Sequence, residues 1–398
     1  MSPDVAVDAA LALAAAPLLM ACLYLGLLTL CSGRRAPVRL GGAPVTRFVV
    51  LVPAHDEEAG IERTVRSALA TNYPEPLRRV VVVADNCTDG TAARARQAGA
   101  EVLVRTDPDH RGKGPALAFA FERLLAEEFA DAVVVVDADA VLGGDLLRAF
   151  AARLALGAEA VQADNAVLNP EASWRTRLMA IALGSFHRLR FGARERLGLS
   201  CGLRGNGMCL TRRLLLRVPH VATSRAEDLE YGLQVAEAGV RIHYAVDGQV
   251  LSVMVSAEGS ARSQRLRWEE GRRELARLHG PRLLALALRR RDGRLLDVAL
   301  DLLVPPLSTL AALAVAGLAV SLLASLAWRP LPAALLAWGG CLALLAAYVL
   351  RGWALSGTGR RGLQDLLVHA PAYAAWKLAL RFGAPARGAR EWVRTRRE

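Results

Sequence analysis

The chain has 398 residues, 53% of them hydrophobic, with 50 Lys+Arg against 38 Asp+Glu and a formal net charge of +12. A positive mean hydropathy of +0.27 at this size excludes a disordered polar protein and disfavours a purely soluble enzyme. The basic balance does not imply a nucleic-acid partner, because aromatic residues make up only 5% and cannot build a base-stacking surface.

From the N-terminus, residues 9–33 carry no charged side chain, enough to cross a ~30 Å hydrocarbon core as a helix. A secretory signal starts with basic residues, whereas Asp4 and Asp8 lead this segment and Arg34, Arg35 and Arg39 follow it. Cytoplasmic flanks gather arginine, so residues 1–42 are expected to form a transmembrane helix and a basic linker. Residues 43–274 then alternate short apolar runs with helical stretches. Phe48-Val-Val-Leu-Val-Pro53, Arg79-Val-Val-Val-Val-Ala84, Glu101-Val-Leu-Val104 and Ala132-Val-Val-Val-Val-Asp137 are expected as strands. Helices are expected over 60–71, 91–98 and 115–129. Continuous Val-rich strands between helices predict an α/β fold with a mostly parallel sheet covered on both faces.

Residues 275–300 mix leucine and alanine with arginine, as an amphipathic helix at a membrane surface does. Residues 302–328 and 330–350 are again free of charge. Arg289, Arg290 and Arg291 precede them, and Arg351, Arg360 and Arg361 follow, so two transmembrane helices are expected within 301–351. Asp365, His369, Pro371 and Lys377 interrupt the apolar residues after that. Residues 352–398 are therefore expected as a basic, interfacial, cytoplasmic segment. Together these features predict a multi-pass protein of the inner (cell) membrane with its soluble domain in the cytoplasm. The six cysteines show no paired or zinc-type spacing and are expected as small buried hydrophobes.

In open α/β sheets a ligand lies beyond the carboxyl ends of the strands. His55-Asp-Glu-Glu58 follows the first strand, Asp85-Asn-Cys-Thr-Asp-Gly90 the second, and Asp137-Ala-Asp139 the fourth. One such cluster alone is ordinary turn or helix-cap chemistry. Three at one sheet edge need donor-rich or cationic company, which a nucleotide and a divalent metal on its diphosphate supply. Asp137-Ala-Asp139 also fits the signature of haloacid-dehalogenase-like phosphatases. That motif opens its domain, however, and here other strands and helices precede it, with no lysine and acidic pair downstream to complete the site.

Val52-Pro-Ala-His-Asp-Glu-Glu58, Asp85-Asn-Cys-Thr-Asp-Gly90, Asp137-Ala-Asp139, Gly205-Asn-Gly207, Glu227-Asp228 and Gln264-Arg-Leu-Arg-Trp268 occur in this order. In this respect the chain resembles membrane-bound family-2 glycosyltransferases, the group containing cellulose synthase, hyaluronan synthase and poly-N-acetylglucosamine synthase. The resemblance covers residues 46–273, and the last motif is the Q-x-x-R-W run of processive members. It implies a GT-A-type nucleotide-sugar-binding domain. Pro53, His55 and Glu57 would lie along the uridine and Asp85 would contact the uracil, with Lys113 approaching the nucleotide. Asp137 would hold the ribose side and Asp139 would ligate Mg²⁺ or Mn²⁺. Gly205, Asn206, Gly207, Glu227 and Trp268 would face the acceptor. Gln264, Arg265 and Arg267 would bind the diphosphate, for which guanidinium forks are suited. Asp228 would be the general base. The bland alternative for the Gln264–Trp268 run is an amphipathic helix with arginine at the headgroups.

Two departures stand out. Ala226-Glu227-Asp228 replaces the Thr-Glu-Asp that relatives often carry, and three membrane helices are few to enclose a polysaccharide channel. The expected activity is inverting transfer from a UDP-sugar to a growing polysaccharide of β-linked hexose or N-acetylhexosamine, helped by an oligomer or export partner. The alternative is single transfer to a lipid-linked acceptor. A non-catalytic membrane scaffold would have no need to keep Asp137, Asp139 and Asp228 together.

Overall fold

The described residues of this computed structural model are 3–33, 38–39, 41–222, 224–254, 258–327 and 331–379, with side chains described except at 258–268 and 377–379. They fall into two compact units. One comprises the described residues within 38–176 and 194–302; the other comprises those within 3–33, 177–193 and 303–379.

The first unit is built on an eight-stranded sheet. Its strands are β1 (Phe48–Ala54), β2 (Arg78–Asp85), β3 (Glu101–Arg105), β4 (Ala132–Val135), β5 (Ala140–Leu142), β6 (Ala160–Val167), β7 (Met208–Thr211) and β8 (Ile242–Ser252). They are ordered β3-β2-β1-β4-β7-β6-β8-β5. The β3-β2-β1-β4 half is parallel throughout, as the Val-rich runs predict. Beyond β4 the sheet is mixed: β7 pairs antiparallel with both β4 and β6, β6 runs parallel to β8, and β5 closes the edge antiparallel to β8.

Burial explains why these runs are strands. Every residue of β1 is buried, and Val80, Val82 and Val134 join Val50 and Val52 in one cluster. Each buried valine contributes about 1.5–3 kcal/mol of transfer free energy. The helix Ile61–Leu69 buries Ile61, Thr64, Val65 and Ala68, the i, i+3, i+4, i+7 stripe of an amphipathic helix. The helix Lys113–Ala126 begins two residues before its expected start, which sets Lys113 at its first turn. The helix Glu258–Arg290 is followed by a reversal at Arg291 and by the helix Gly293–Leu303. Across the stretch expected to lie at a membrane surface, Leu275, Leu283, Ala287, Leu295 and Ala299 pack with Leu229 and Leu233 of the helix Glu227–Glu237. Part of its apolar surface is thus covered within the unit, while Leu278 and Leu288 stay exposed.

The second unit is helical. Leu307–Ala327 and Pro332–Ser356 are each long and apolar enough to cross a membrane. The N-terminal apolar stretch is two helices, Pro3–Ala14 and Ala16–Cys31, bent by 49°, and counts as a third candidate only if the pair is one span. Pro17 lies at the start of the second of these helices, where its missing N–H and ring are tolerated but a continuous helix through it is not. Leu18, Cys22, Leu25 and Leu28 pack with Cys341, Leu345 and Tyr348. Asp8 accepts from the Ala333 and Ala334 amides at 3.2 and 2.8 Å, satisfying donors at the start of Pro332–Ser356. The segment 177–193, which the sequence places with the soluble domain, belongs to this helical unit and includes a π-helical stretch, Gly184–Phe191.

Candidate active site

At the carboxyl ends of β1 to β3 the polar residues are largely satisfied by one another. Asp85 is fully buried and pairs with Arg105 at 2.6 Å, because the parallel register sets these two residues opposite each other. The same guanidinium reaches Asp107 at 2.8 Å and the His110 carbonyl at 2.9 Å. The His55 Nδ1 lies 2.8 Å from the Asp85 carbonyl, and the Glu57 amide donates to Thr91 Oγ1 at 2.8 Å. Pro53 is buried within β1 opposite Val83. The second carboxylate oxygen of Asp85 is buried without a hydrogen-bond partner, an acceptor left over in an otherwise satisfied corner.

Asp56, Cys87 and Asp89 also lie close enough together to meet at one ion. Asp56 accepts from the Thr88 and Asp89 amides at 2.6 and 3.3 Å, and Asp89 accepts from the Thr91 amide at 2.9 Å. These are the bonds of a turn, and a thiol among carboxylates is a poor match for Mg²⁺ or Mn²⁺.

Beyond β4 the arrangement is different. The Lys113 ammonium contacts the Asp137 carboxylate and donates to the Gly205 carbonyl at 3.0 Å. Asn206 Oδ1 accepts from the Asp137 amide at 3.1 Å, and Asn206 Nδ2 donates to Ser252 Oγ at 2.9 Å. Gln162 and Asn165, on β6, donate to the Asn206 carbonyl at 2.7 and 3.1 Å. Gly205 and Gly207 both have φ of +72°, where L side chains are strained. A Cβ on Gly205 would lie 3.2 Å from both Asp228 Oδ2 and Lys113 Nζ; one on Gly207 would lie 2.6 Å from Ala163 Cβ. The turn therefore brings Lys113, Asp137 and Asp228 to one place, from positions up to 115 residues apart in the sequence.

Glu227 and Asp228 occupy the first turn of Glu227–Glu237. Burial raises the affinity of both carboxyls for protons. Asp228 raises Glu227 further, while Arg204 and Lys113 pull Asp228 back down. Burial also works against the Lys113 ammonium, but Asp137 and Glu227 overcome it and hold that amine charged. Asp139 is 6% exposed; its carbonyl accepts from Arg63, and the Ala138 carbonyl accepts from Thr64, so the helix Ile61–Leu69 fixes the backbone of the pair. Asp137 is engaged by Lys113.

The structure thus gathers His55, Glu57 and Asp85 at one end of the strand edge and Lys113, Asp137, Gly205, Asn206, Gly207, Glu227 and Asp228 at the other. Gln264, Arg265, Arg267 and Trp268 lie on the helix Glu258–Arg290, and their side chains are outside the described residues. The sequence reading lacks Arg105, Gln162, Asn165, Arg204 and Ser252. Gln162 is fully buried, and the Asn206 carbonyl it donates to is 44 residues away.

Residues 44–271, more than half of the chain, match the family described as Glycosyltransferase like family 2. The chain belongs to this family. A β-monoglucosyldiacylglycerol synthase from Synechocystis sp. is 28% identical over 242 residues, covering 57% of the chain and 48% of that protein. The chain thus aligns with about half the length of this curated relative. A mannosyltransferase from Pyrobaculum calidifontis, solved with GDP-mannose and Mn²⁺, shares the fold with a TM-score of 0.55 and 23% identity, over 90% of this chain and 99% of that one. Family membership and the GT-A-like mixed sheet agree with the sequence reading. The relatives do not single out the cellulose and hyaluronan synthase branch.

Proposed function

We propose that this family-2 glycosyltransferase moves a hexosyl group from a UDP-sugar to a lipid acceptor at the inner membrane, with inversion at the anomeric carbon. The carrying observation is the convergence of Lys113, Asp137, Gly205 and Asp228 at the carboxyl edge of β4. Asp228 takes the proton from the acceptor hydroxyl, whose oxygen attacks the anomeric carbon as the bond to the diphosphate breaks. A raised proton affinity suits this role, since a base works best when poised near ambient pH. Lys113 holds Asp137 and the Gly205 backbone against the donor. The unpartnered Asp85 oxygen accepts from the N–H of the base. Asp139 would hold Mg²⁺ or Mn²⁺, which supplies charge neutralisation to the departing diphosphate.

Two or three candidate spans, and a curated relative named for a glycosyldiacylglycerol, favour a lipid acceptor. The arginine-rich flanks favour a cytoplasmic catalytic domain. The Gln264–Trp268 run favours a polymer, so product size is part of the test. Purified full-length chain in nanodiscs containing diacylglycerol is given Mn²⁺ and a panel of UDP- and GDP-sugars. Nucleoside diphosphate released from one UDP-sugar, lost on chelation and in Asp228→Asn, with a product that migrates as a glycolipid, is the expected result. A ladder of oligosaccharides would replace the lipid acceptor with a polymer, and release from a GDP-sugar alone would overturn the uracil assignment.

A further inference from the structure

Three segments of the first unit, residues 197–200, 239–241 and 290–295, line an open cavity of about 680 Å³. Arg241, Arg290, Arg291 and Arg294 stand in its walls against a single lining carboxylate, Asp292. None of the residues assigned above to donor, acceptor or metal lines it. Asp292 is occupied: it accepts from the Arg294 and Leu295 amides at 2.9 and 3.1 Å and caps the helix Gly293–Leu303. Arg241 is braced by Glu195 at 3.0 Å and by the Leu199 carbonyl at 3.0 Å, and Arg290 by the Glu237 carbonyl at 2.8 Å. Arg291 has φ of +51°, a conformation uncommon for a long side chain, at the reversal between the two helices. Like charges so concentrated repel one another unless an anion comes among them. With Arg241 already paired to Glu195, the guanidinium groups of Arg290, Arg291 and Arg294 are the ones suited to phosphate oxygens. The cavity lies at the start of the helix Gly293–Leu303, whose far end is four residues before the apolar helix Leu307–Ala327.

We propose that this cavity binds the phosphate of an anionic phospholipid headgroup, drawn from the membrane that Leu307–Ala327 enters. The inference rests on the membrane placement given under Proposed function, and it adds a regulatory or anchoring lipid site separate from the catalytic one. A basic side chain near an anionic leaflet favours binding by about fivefold.

The test uses full-length chain in mixed micelles of phosphatidylglycerol and phosphatidylcholine, with retained lipid weighed by native mass spectrometry. Preferential retention of phosphatidylglycerol is expected. The triple variant Arg290→Gln, Arg291→Gln, Arg294→Gln should lose about fivefold of that preference for each arginine removed. All three side chains are exposed, so the fold should survive, as an unchanged melting temperature would show. A control triple, Arg66→Gln, Arg96→Gln and Arg213→Gln, removes the same charge at exposed positions outside the cavity and should keep the preference. Equal loss in both triples, or loss in neither, overturns the site. Displacement of the lipid by millimolar inorganic phosphate overturns the lipid as its occupant. Release of the chain from cell membranes without detergent would instead strike at the membrane placement itself.

Discussion

At the end of the site proposed for the nucleoside, Asp85 is sealed against Arg105 at 2.6 Å. At the end proposed for proton transfer, Glu227 and Asp228 stand side by side, and the nearest ammonium, Lys113, is already in contact with Asp137. Both ends lie on one sheet edge and both are acidic in sequence. The first is neutralised internally and makes a rigid platform. The second is buried without full neutralisation, and that burial makes it hold its protons more tightly than exposed acids do. In the proposed roles, charge of the same sign would bind at one end and react at the other, according to what packs beside it.

The comparison breaks most visibly at Asp228. Asp228→Asn should lower kcat by about 10²–10⁴-fold while donor affinity, measured by calorimetry, stays within a small factor. At the opposite end the cost should appear in folding. Arg105→Met leaves Asp85 buried without its counter-charge and should reduce unfolding free energy by about 3–5 kcal/mol, read from denaturant titration of the full chain in detergent. If Arg105→Met costs rate alone, or Asp228→Asn costs stability alone, the division of roles fails.

A smaller effect sharpens the boundary between the two ends. His220 is 5% exposed, lies between Phe121 and Tyr231, and neither ring nitrogen has a hydrogen-bond partner. Burial pushes its pKa down from the usual 6.5 to about 4. The folded state holds it neutral, so the stability this provides is complete above pH 6.5 and is lost as the pH falls toward 4. The loss should reach about 3 kcal/mol, and His220→Phe should flatten that part of the melting-temperature profile. Smaller again, Gly207→Ala forces a Cβ to within 2.6 Å of Ala163 Cβ at positive φ, for a cost of about 1–3 kcal/mol by thermal unfolding.

In the parallel half of the sheet β1, β2 and β4 were legible because they are buried almost throughout and read as valine-rich runs, while β3 is a partly exposed edge strand. The other half was not. β6 carries Gln162, Asp164 and Asn165, which interrupt any apolar pattern, and its register with β8 shifts between Ala163 and Asp164. Asp85 could be picked out from its place after a strand; Arg105 could not, since only the β2–β3 register makes them partners. The motifs brought Lys113, Asp137 and Asp228 to attention separately. Their meeting depends on Gly205 and on the β6 and β8 side chains that pin Asn206, contacts that no local pattern encodes. In the helical unit, lack of charge marked the apolar helices, but Pro17 decides that the first is bent rather than straight.

The most direct test of the paired carboxylates is the pH dependence of kcat in wild type and in Glu227→Gln. As the proposed base, Asp228 would have to be unprotonated to act, so its raised proton affinity should place the acidic limb of the wild-type profile above the ordinary carboxylate range. Burial raises Asp228, and it is the Asp228 charge that raises Glu227, so Glu227→Gln should leave that limb in place. A limb that sits at ordinary carboxylate pH in both proteins would contradict the account.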